Sequence, residues 1–550
     1  MKDGKKTKGK HPKIKALAKR LFFMRAQQEK IVPVWREISN YVAPNRGAFD
    51  YERPNQGLRR DTHLVDSTPT RALGILQAGM QGGLTSPSRA WCKLQVSDPD
   101  LAAIPAVMVW TDEVTDRILN VIGRSNLYNC LHGIYGEIAA FGIGALYIED
   151  DWEEIVHGKL MTAGEYYVAF SSRDKPNAFG RVLWMTAAQM KERFGEDNLS
   201  EQVKQALNGN TPEEWFKVNH FICEDEDHDT RFPFMSVYWE EGKDTELGLG
   251  GYEEFPVLIP RWETIASDFY GYGPGWLALG ESRTLQEMRK DYLVAQQLNI
   301  NPPVYGPESA RNQRVNIFPG GINFVTSDVG LKPVFQVNSD IQGQLVAIGQ
   351  SQQMINQMFF GDLFLMIASM DNRNMTATEV QVRQEEKMQM LGPVIERLEH
   401  ELLDPLIVRT FSIMFRRGMF PEPPEELMGR EIKIEYISLL ALAQKAGGLT
   451  ELQNLLALVG GIAGMSPEVV DKLNADEFVD QFIRLTNIPS VLIRSDEEVA
   501  ALRDARAAQM QQAQQMASMS QMAASGAQAA GAVKDLSTAD LSMLNGVMSE

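Results

Sequence analysis

Residues 375–418 read MTATEVQVRQEEKMQMLGPVIERLEHELLDPLIVRTFSIMFRRG, and this stretch decides the fold. It opens on Thr376-Ala-Thr-Glu379, a capping-box spacing in which hydroxyl and carboxylate each satisfy a backbone N–H left orphaned at a helix start. Apolar residues then recur at Met388, Leu391, Ile395, Leu398, Leu402, Leu406 and Phe411, steps that keep one helical face dry. Glu379 with Arg383 and Arg397 with Glu401 add opposite charges four residues apart, and Gly418 followed by Pro421 supplies the stop. Unbroken, such a helix would run about 64 Å. Pro393 and Pro405 each remove an internal N–H, so the helix is expected to bend or divide there. The periodicity is also that of a long core helix in any large helical protein, so it does not define a function.

Composition narrows the classes. A chain of 550 residues is too long for one ordinary core, and 44% hydrophobic with 23% charged residues is a globular balance. Lys and Arg total 54 against 72 Asp and Glu, a net charge of −18. The whole molecule repels a polyanion at long range, so contact with nucleic acid must be local or confined. Cys92, Cys130 and Cys223 lie far apart without a CxxC spacing, which argues for a reducing compartment and against a disulfide framework or structural zinc. There is no run of about 18 apolar residues, so neither a membrane span nor a signal peptide is expected.

Working outward toward the N-terminus, residues 362–374 (DLFLMIASMDNRN) are an apolar run ending in a polar tip. Before them a helix is predicted from Asp340, with Ile341, Leu345, Ile348, Ile355 and Phe359 as its apolar stripe and glutamines over the remainder. No charged side chain occurs between Ile341 and Gly361. This marks either a face that avoids ion pairing or an ordinary glutamine-rich helix. Residues 269–305 begin with glycine punctuation (FYGYGPGW) and continue as a helix of about 25 residues stopped by Pro302-Pro303. A compact turn-and-strand insert with Arg311 and Arg314 separates these two helices.

Between residues 145 and 260, short strands (ALYIE, YYVAF, RVLWM, FKVNHFIC, FMSVYW, FPVLIP) broken by two small helices make an α+β region. Its loop from Glu224 to Asp229, EDEDHD, invites a metal reading through hard oxygen ligands. Against it, consecutive residues point apart and the EF-hand glycine and final glutamate are missing. No metal or cofactor site is therefore expected. Helices are predicted over 14–41, from Ser67-Thr68-Pro69 toward Gly82-Gly83, and over 101–122 and 126–141, with a turn and short strand in GLTSPSRAWCKL at 83–94. The lysine-rich residues 1–20 are a solvated tail or a contact for DNA or an acidic partner. Beyond the central helix, Pro421, Pro423 and Pro424 mark a boundary before a strand at 432–437. From Glu498 a Met/Gln/Ala-rich tail is a helix in need of neighbours, or disordered.

Catalytic motifs are missing. The sequence holds no GxxxxGK[ST], HExxH or GxSxG, and the glycines at 142–144 and 271–275 are only fragments of a dinucleotide loop.

TATEV, RQEEK and LGPVIERLEHELLDPLIVRTFSIMFRRG resemble the head-to-tail connector (portal) family of short-tailed bacteriophages. GLTSPSRAWCKL and YGYGPGWLALGESRTLQEM resemble two further signatures in the same order, so the likeness covers roughly residues 15–440. It departs at Ala90, Cys92 and Tyr272, where Pro, an aromatic and Arg are expected. The resemblance implies a ring-forming α+β portal fold. It divides into an N-terminal tail and wing (1–265), a first stem helix (266–301), a clip (302–339) and a second stem helix (340–361). A tunnel loop (362–375), a long wing helix with return strand (376–440) and a helical crown and tail (441–550) follow.

It further implies a non-enzymatic homo-dodecamer at one capsid vertex of the virion, assembled in the host cytoplasm, with double-stranded DNA passing through its channel. Capsid and scaffold proteins, the terminase large subunit and tail adaptor or nozzle proteins are the implied partners, with no membrane. Asn372, Arg373 and Asn374 would lie nearest the DNA, Arg311 and Arg314 would serve docking in the clip, Thr376 and Glu379 would anchor the tunnel loop, and Pro393 and Pro405 would be joints. The alternatives are a tail adaptor or scaffold without a DNA channel, and a metal-dependent nuclease using residues 224–229.

Overall fold

The computed structural model describes residues 14–49, 63–98, 101, 104–209, 211–225, 230–243, 246–266, 268–300, 304–305, 332–333, 341–368, 391–427, 432–437 and 499–516. Arg311, Arg314, Asn372, Arg373, Asn374, Thr376 and Glu379 lie outside them. The chain forms two compact units, Met1–Ser97 with Trp110–Ala457, and Asp98–Val109 with Leu458–Glu550. In the second unit, residues 499–516 are helical with nearly every side chain exposed.

The first unit is built on a five-stranded antiparallel sheet. Its strands β4 (Tyr166–Phe170), β5 (Pro176–Thr186), β6 (Trp215–Glu224), β7 (Phe234–Glu240) and β8 (Glu246–Tyr252) pair in sequence order. Helix α1 (Ile14–Gln28) covers one face, setting Ile14, Leu17, Leu21 and Met24 against Ala178, Phe221, Cys223, Val237 and Trp239. Each such buried side chain contributes about 1.5–3 kcal/mol. The helical pattern of 14–41 is interrupted at residues 29–31, and α2 (Val32–Tyr41) starts with Pro33 in its first turn, where a missing N–H costs nothing. On the opposite face lie α6 (Ala187–Phe194), closed by a Thr186/Gln189 capping box, and α7 (Glu201–Asn208), capped by Ser200.

Beside the buried Phe179 and Ile222, the same face carries a polar row. Cross-strand neighbours Arg181, His220 and Tyr238 form a row, with His220 stacked on Tyr238 at 3.9 Å and Arg181 over the Tyr147 ring at 4.6 Å. Arg181 Nε donates to His220 Nδ1 at 3.0 Å, so the imidazole proton sits on Nε2, 2.9 Å from Ser236 Oγ. Tyr147 belongs to a second sheet, β3 (Ile155–Met161), β2 (Ala145–Asp151) and β9 (Val257–Leu258).

Helix α5 (Leu127–Phe141) is the centre of packing, and eleven of its residues are buried. Glu137, 2% exposed, accepts from Arg46 Nη1 at 2.9 Å, from Thr162 Oγ1 and from the Ala163 amide. Burial raises its carboxyl above the ordinary glutamate range, against the pull of Arg46 and these donors. Arg46, in the loop after α2, also reaches Gly133 O and Gln77 of α3 (Thr68–Leu84), joining α3 and α5. At the end of α5 the Phe141 carbonyl accepts from two indoles, Trp35 Nε1 at 3.1 Å and Trp276 Nε1 at 2.9 Å. Gly142 follows with φ +85°, and a Cβ there would lie 2.2 Å from the Gly271 carbonyl.

Against the two sheets runs the C-terminal helix. Helix α11 covers residues 391–398, Glu399–Leu403 form a π-turn, and α12 (Asp404–Arg416) continues. Leu391, Ile395, Leu398, Leu402 and Leu406 are fully buried. Phe411, expected on this face, points outward, because a five-residue step from Leu406 turns about 140°. The π-turn ends at Leu403, two residues before Pro405, whose ring would strike the residue-401 carbonyl in a regular helix. Residues 391–398 around Pro393 are regular helix, and the turn before it lies outside the described residues. Glu401 turns to Arg261, which is 4% exposed and donates from its Nη2 at 2.6 Å and its amide at 2.8 Å. Buried Arg409 joins Glu254 and the Ile148 carbonyl, and Arg417 joins Asp150. Finally β12 (Ile432–Tyr436) pairs antiparallel with β1 (Cys92–Val96).

Two outcomes follow from the buried charges. Arg46→Met strands Glu137 and is expected to cost about 3–5 kcal/mol, read as a lowered unfolding midpoint that Arg46→Met/Glu137→Leu partly restores. Burial, then Arg181, Arg193 and Lys159, hold His220 well below the ordinary histidine range. Below about pH 6.5 the unfolded chain therefore binds a proton that the folded one refuses, and stability falls with pH. Thermal melts at about pH 7 and pH 5 should show a smaller loss for His220→Gln than for the parent; equal losses would contradict the assignment.

Candidate functional site

Helix α8 (Pro274–Ile300) and helix α9 (Ile341–Met358) pack on one another, with the short pair β10 (Val304–Tyr305) and β11 (Lys332–Pro333) lying between them in sequence. The glycine run before α8 is a close-approach device, not a ligand loop. A Cβ on Gly273 would meet the Ile138 carbonyl at 2.5 Å, and one on Gly275 the Ala140 carbonyl at 2.3 Å. These glycines therefore seat the start of α8 on the end of α5.

The interface of α8, α9 and the start of α3 is a polar seam. Gln286, fully buried, accepts from the Val65 amide at 2.7 Å and the Asp66 amide at 2.8 Å, and donates to the Asp66 carbonyl. Asp66 Oδ1 accepts from the Thr68 amide and hydroxyl, and Oδ2 from Gln352 Nε2 at 2.8 Å. Burial opposes ionisation, yet the Thr68 and Gln352 donors hold this carboxyl below the usual range. Ser67, in the N-cap position of α3, makes no side-chain cap bond, and Asp66 takes the Thr68 amide instead. Ser351 bonds Glu281 across the same helices.

Outward, α9 shows a different chemistry. Ile348, Ile355 and Phe359 are buried, whereas Val346 (59% exposed), Gly349, Gln350, Gln353, Met354 (46%) and Gln357 face solvent, and Leu345 of the expected stripe is 39% exposed. No charge interrupts this face, whereas α8 carries Arg283 paired with Glu37 at 3.2 Å and Lys290 paired with Glu287 at 2.9 Å. After α9, Phe360 adopts φ +55°, and its ring lies 6.1 Å from that of Trp262. The apolar run then continues as α10 (Gly361–Ala368), so the start of the 362–375 segment is helical. Buried Phe364 lies over Gly79 of α3, where a Cβ would meet the ring at 2.2 Å.

Elsewhere, Asp225 of the acidic loop is 5% exposed and accepts from the Thr230 amide and hydroxyl, which closes the loop. Among the described residues no group of three His, Cys, Asp or Glu could hold a metal ion, and no helix is long and apolar enough to cross a membrane. The three cysteines are free and buried, and burial pushes the Cys92 thiol up to about 12.

Comparison with known proteins agrees with the sequence resemblance. The portal protein of Salmonella phage epsilon15 is 38% identical over 545 residues, 96% of this chain and 97% of that protein. A probable portal protein of Bordetella phage BPP-1 is 37% identical over 508 residues, 90% and 92% of the two chains. Among solved structures, a chain from the neck of an empty gene transfer agent particle aligns with a TM-score of 0.37 at 12% identity, over 76% of this chain and 92% of that one. The family described as bacteriophage head to tail connecting protein matches residues 14–493, and this chain belongs to it.

Proposed function

We propose that the head-to-tail connector formed by this chain is a dodecameric portal ring at one capsid vertex, through which double-stranded DNA enters during packaging and leaves during ejection. The observation that carries the reading is the uncharged outer face of α9 on a protein of net charge −18. DNA that must move cannot be held, and each Lys or Arg contact with phosphate would add a counterion-release term to its affinity. Glutamine and methionine side chains line a path without that term.

In this reading α8 and α9 form the stem. Asn372, Arg373 and Asn374 contact phosphates without reading bases. Thr376 and Glu379 anchor that loop, and Pro393 and Pro405 act as joints toward the wing. Arg311 and Arg314 dock the terminase motor and then the tail adaptor, while capsid and scaffold proteins surround the ring. Assembly takes place in the host cytoplasm and the product resides in the virion. A tail adaptor or scaffold would lack a DNA channel, and nuclease activity would need residues 224–229 to gather a metal.

Electron microscopy of the purified protein should show rings with a central hole; solid or open assemblies would favour the adaptor or scaffold reading. Gln350→Lys/Gln353→Lys/Gln357→Lys rings should retain DNA more tightly at low salt, with log affinity falling by about 0.9 per added phosphate contact for each unit of log salt, and should package more slowly. Unchanged retention and packaging would remove α9 from the channel.

A further inference from the structure

Two surfaces of the first unit leave aromatic side chains in water, and their surroundings carry opposite charge. On α1, with its inner face on the sheet, Phe22 and Phe23 are 64% and 56% exposed, their rings edge-on at 6.1 Å. Lys19 Nζ lies 5.9 Å from the Phe23 ring and no acidic residue occurs from Ile14 to Gln28; just beyond, Glu29 and Lys30 are both exposed.

The second surface is the outer side of α12. Val408 and Phe415 are 48% and 61% exposed, and Phe411 stacks between Phe415 (6.0 Å) and Phe420 (4.8 Å). Directly after Phe420, Glu422, Glu425 and Glu426 are exposed and enter no ion pair among the described residues. Their loop is fixed, because from α4 (Pro105–Arg124) Trp110 Nε1 donates to the Pro421 carbonyl at 3.1 Å and Arg117 to that of Met419.

We propose that the cationic Phe22–Phe23 face of one copy docks on the anionic Phe411–Phe415–Phe420 face of the next. This rests on the ring reading and specifies one of its contacts. A ring closes through heterologous contacts, which need two different, mutually complementary surfaces on every copy. The aromatic groups supply apolar area to bury. The charges set polarity, since α1 against α1 brings lysines together and α12 against α12 brings glutamates together. Two-fold pairing through either face is therefore disfavoured, and head-to-tail pairing is selected.

The test uses the full chain, whose native cysteines are buried. Phe22→Cys/Phe415→Cys treated with a short bismaleimide should give a ladder of multimers. A mixture of the two single variants should give only a dimer, and neither single variant alone should cross-link. Lys19→Glu/Lys30→Glu should raise the concentration needed for assembly about tenfold, equivalent to about 1.4 kcal/mol, and Glu425→Lys/Glu426→Lys in the same chain should restore it. Rings visible by microscopy without cross-links overturn this contact and leave the ring reading standing. Absence of rings from the unsubstituted protein overturns both. Cross-linking within the monomer, homodimers of one single variant, or Lys19→Glu/Lys30→Glu rings that assemble normally but lose retention on DNA each overturn the contact, the last assigning the face to nucleic acid.

Discussion

The last carbonyls of α5 have no partner within the helix, and the first unit is arranged around supplying them. Trp35 from α2 and Trp276 from α8 both donate to Phe141 O, while Gly142 turns left-handed against the Gly271 backbone. Two elements distant in sequence are thereby held at one helix end by indole donors. The tolerance is small, because a methyl group at Gly142, Gly271, Gly273 or Gly275 would enter neighbouring backbone. The start of α8, and hence the face that α9 turns outward, inherits its position from this junction.

A second set of constraints is ionic and buried. Arg261 with Glu401, Arg409 with Glu254 and Arg46 with Glu137 join elements that hydrophobic packing alone would let slide. Such pairs are weak sources of net stability, but losing one partner is severe, so they specify register more than they add energy. The π-turn belongs with them: it relieves the clash at Pro405 in the same turn that presents Glu401 to Arg261. The comparison with portal relatives places this framework in the head-to-tail connector family.

Much of this organisation was legible in the residues. Apolar periodicity located α8, α9 and the C-terminal helix, and alternation located β5, β6 and β7. Strand β8 escaped notice because Gly248, Gly250 and Gly251 leave little side chain to alternate, and β3 because His157, Gly158 and Lys159 break its apolar run. The uncharged face of α9 was readable from composition alone. The seam beneath it was not, since Asp66 meets Gln286 and Gln352 across 220 and 286 residues, and neither glutamine stands out from its neighbours. Asp66 likewise serves the start of α3 and Gln352 at once.

Phe360 bears on mechanics. A bulky residue in the left-handed region costs of order 1–3 kcal/mol and persists only where its surroundings enforce it; here Phe359 is buried on one side and Trp262 stands against the ring. The turn therefore behaves as a loaded pivot between two rigid rods. An axial displacement of α9 must either unseat Phe360 or swing α10, whose Phe364 is notched into Gly79. Force applied along α9 would be delivered to α3 as torque, without any ligand binding between them.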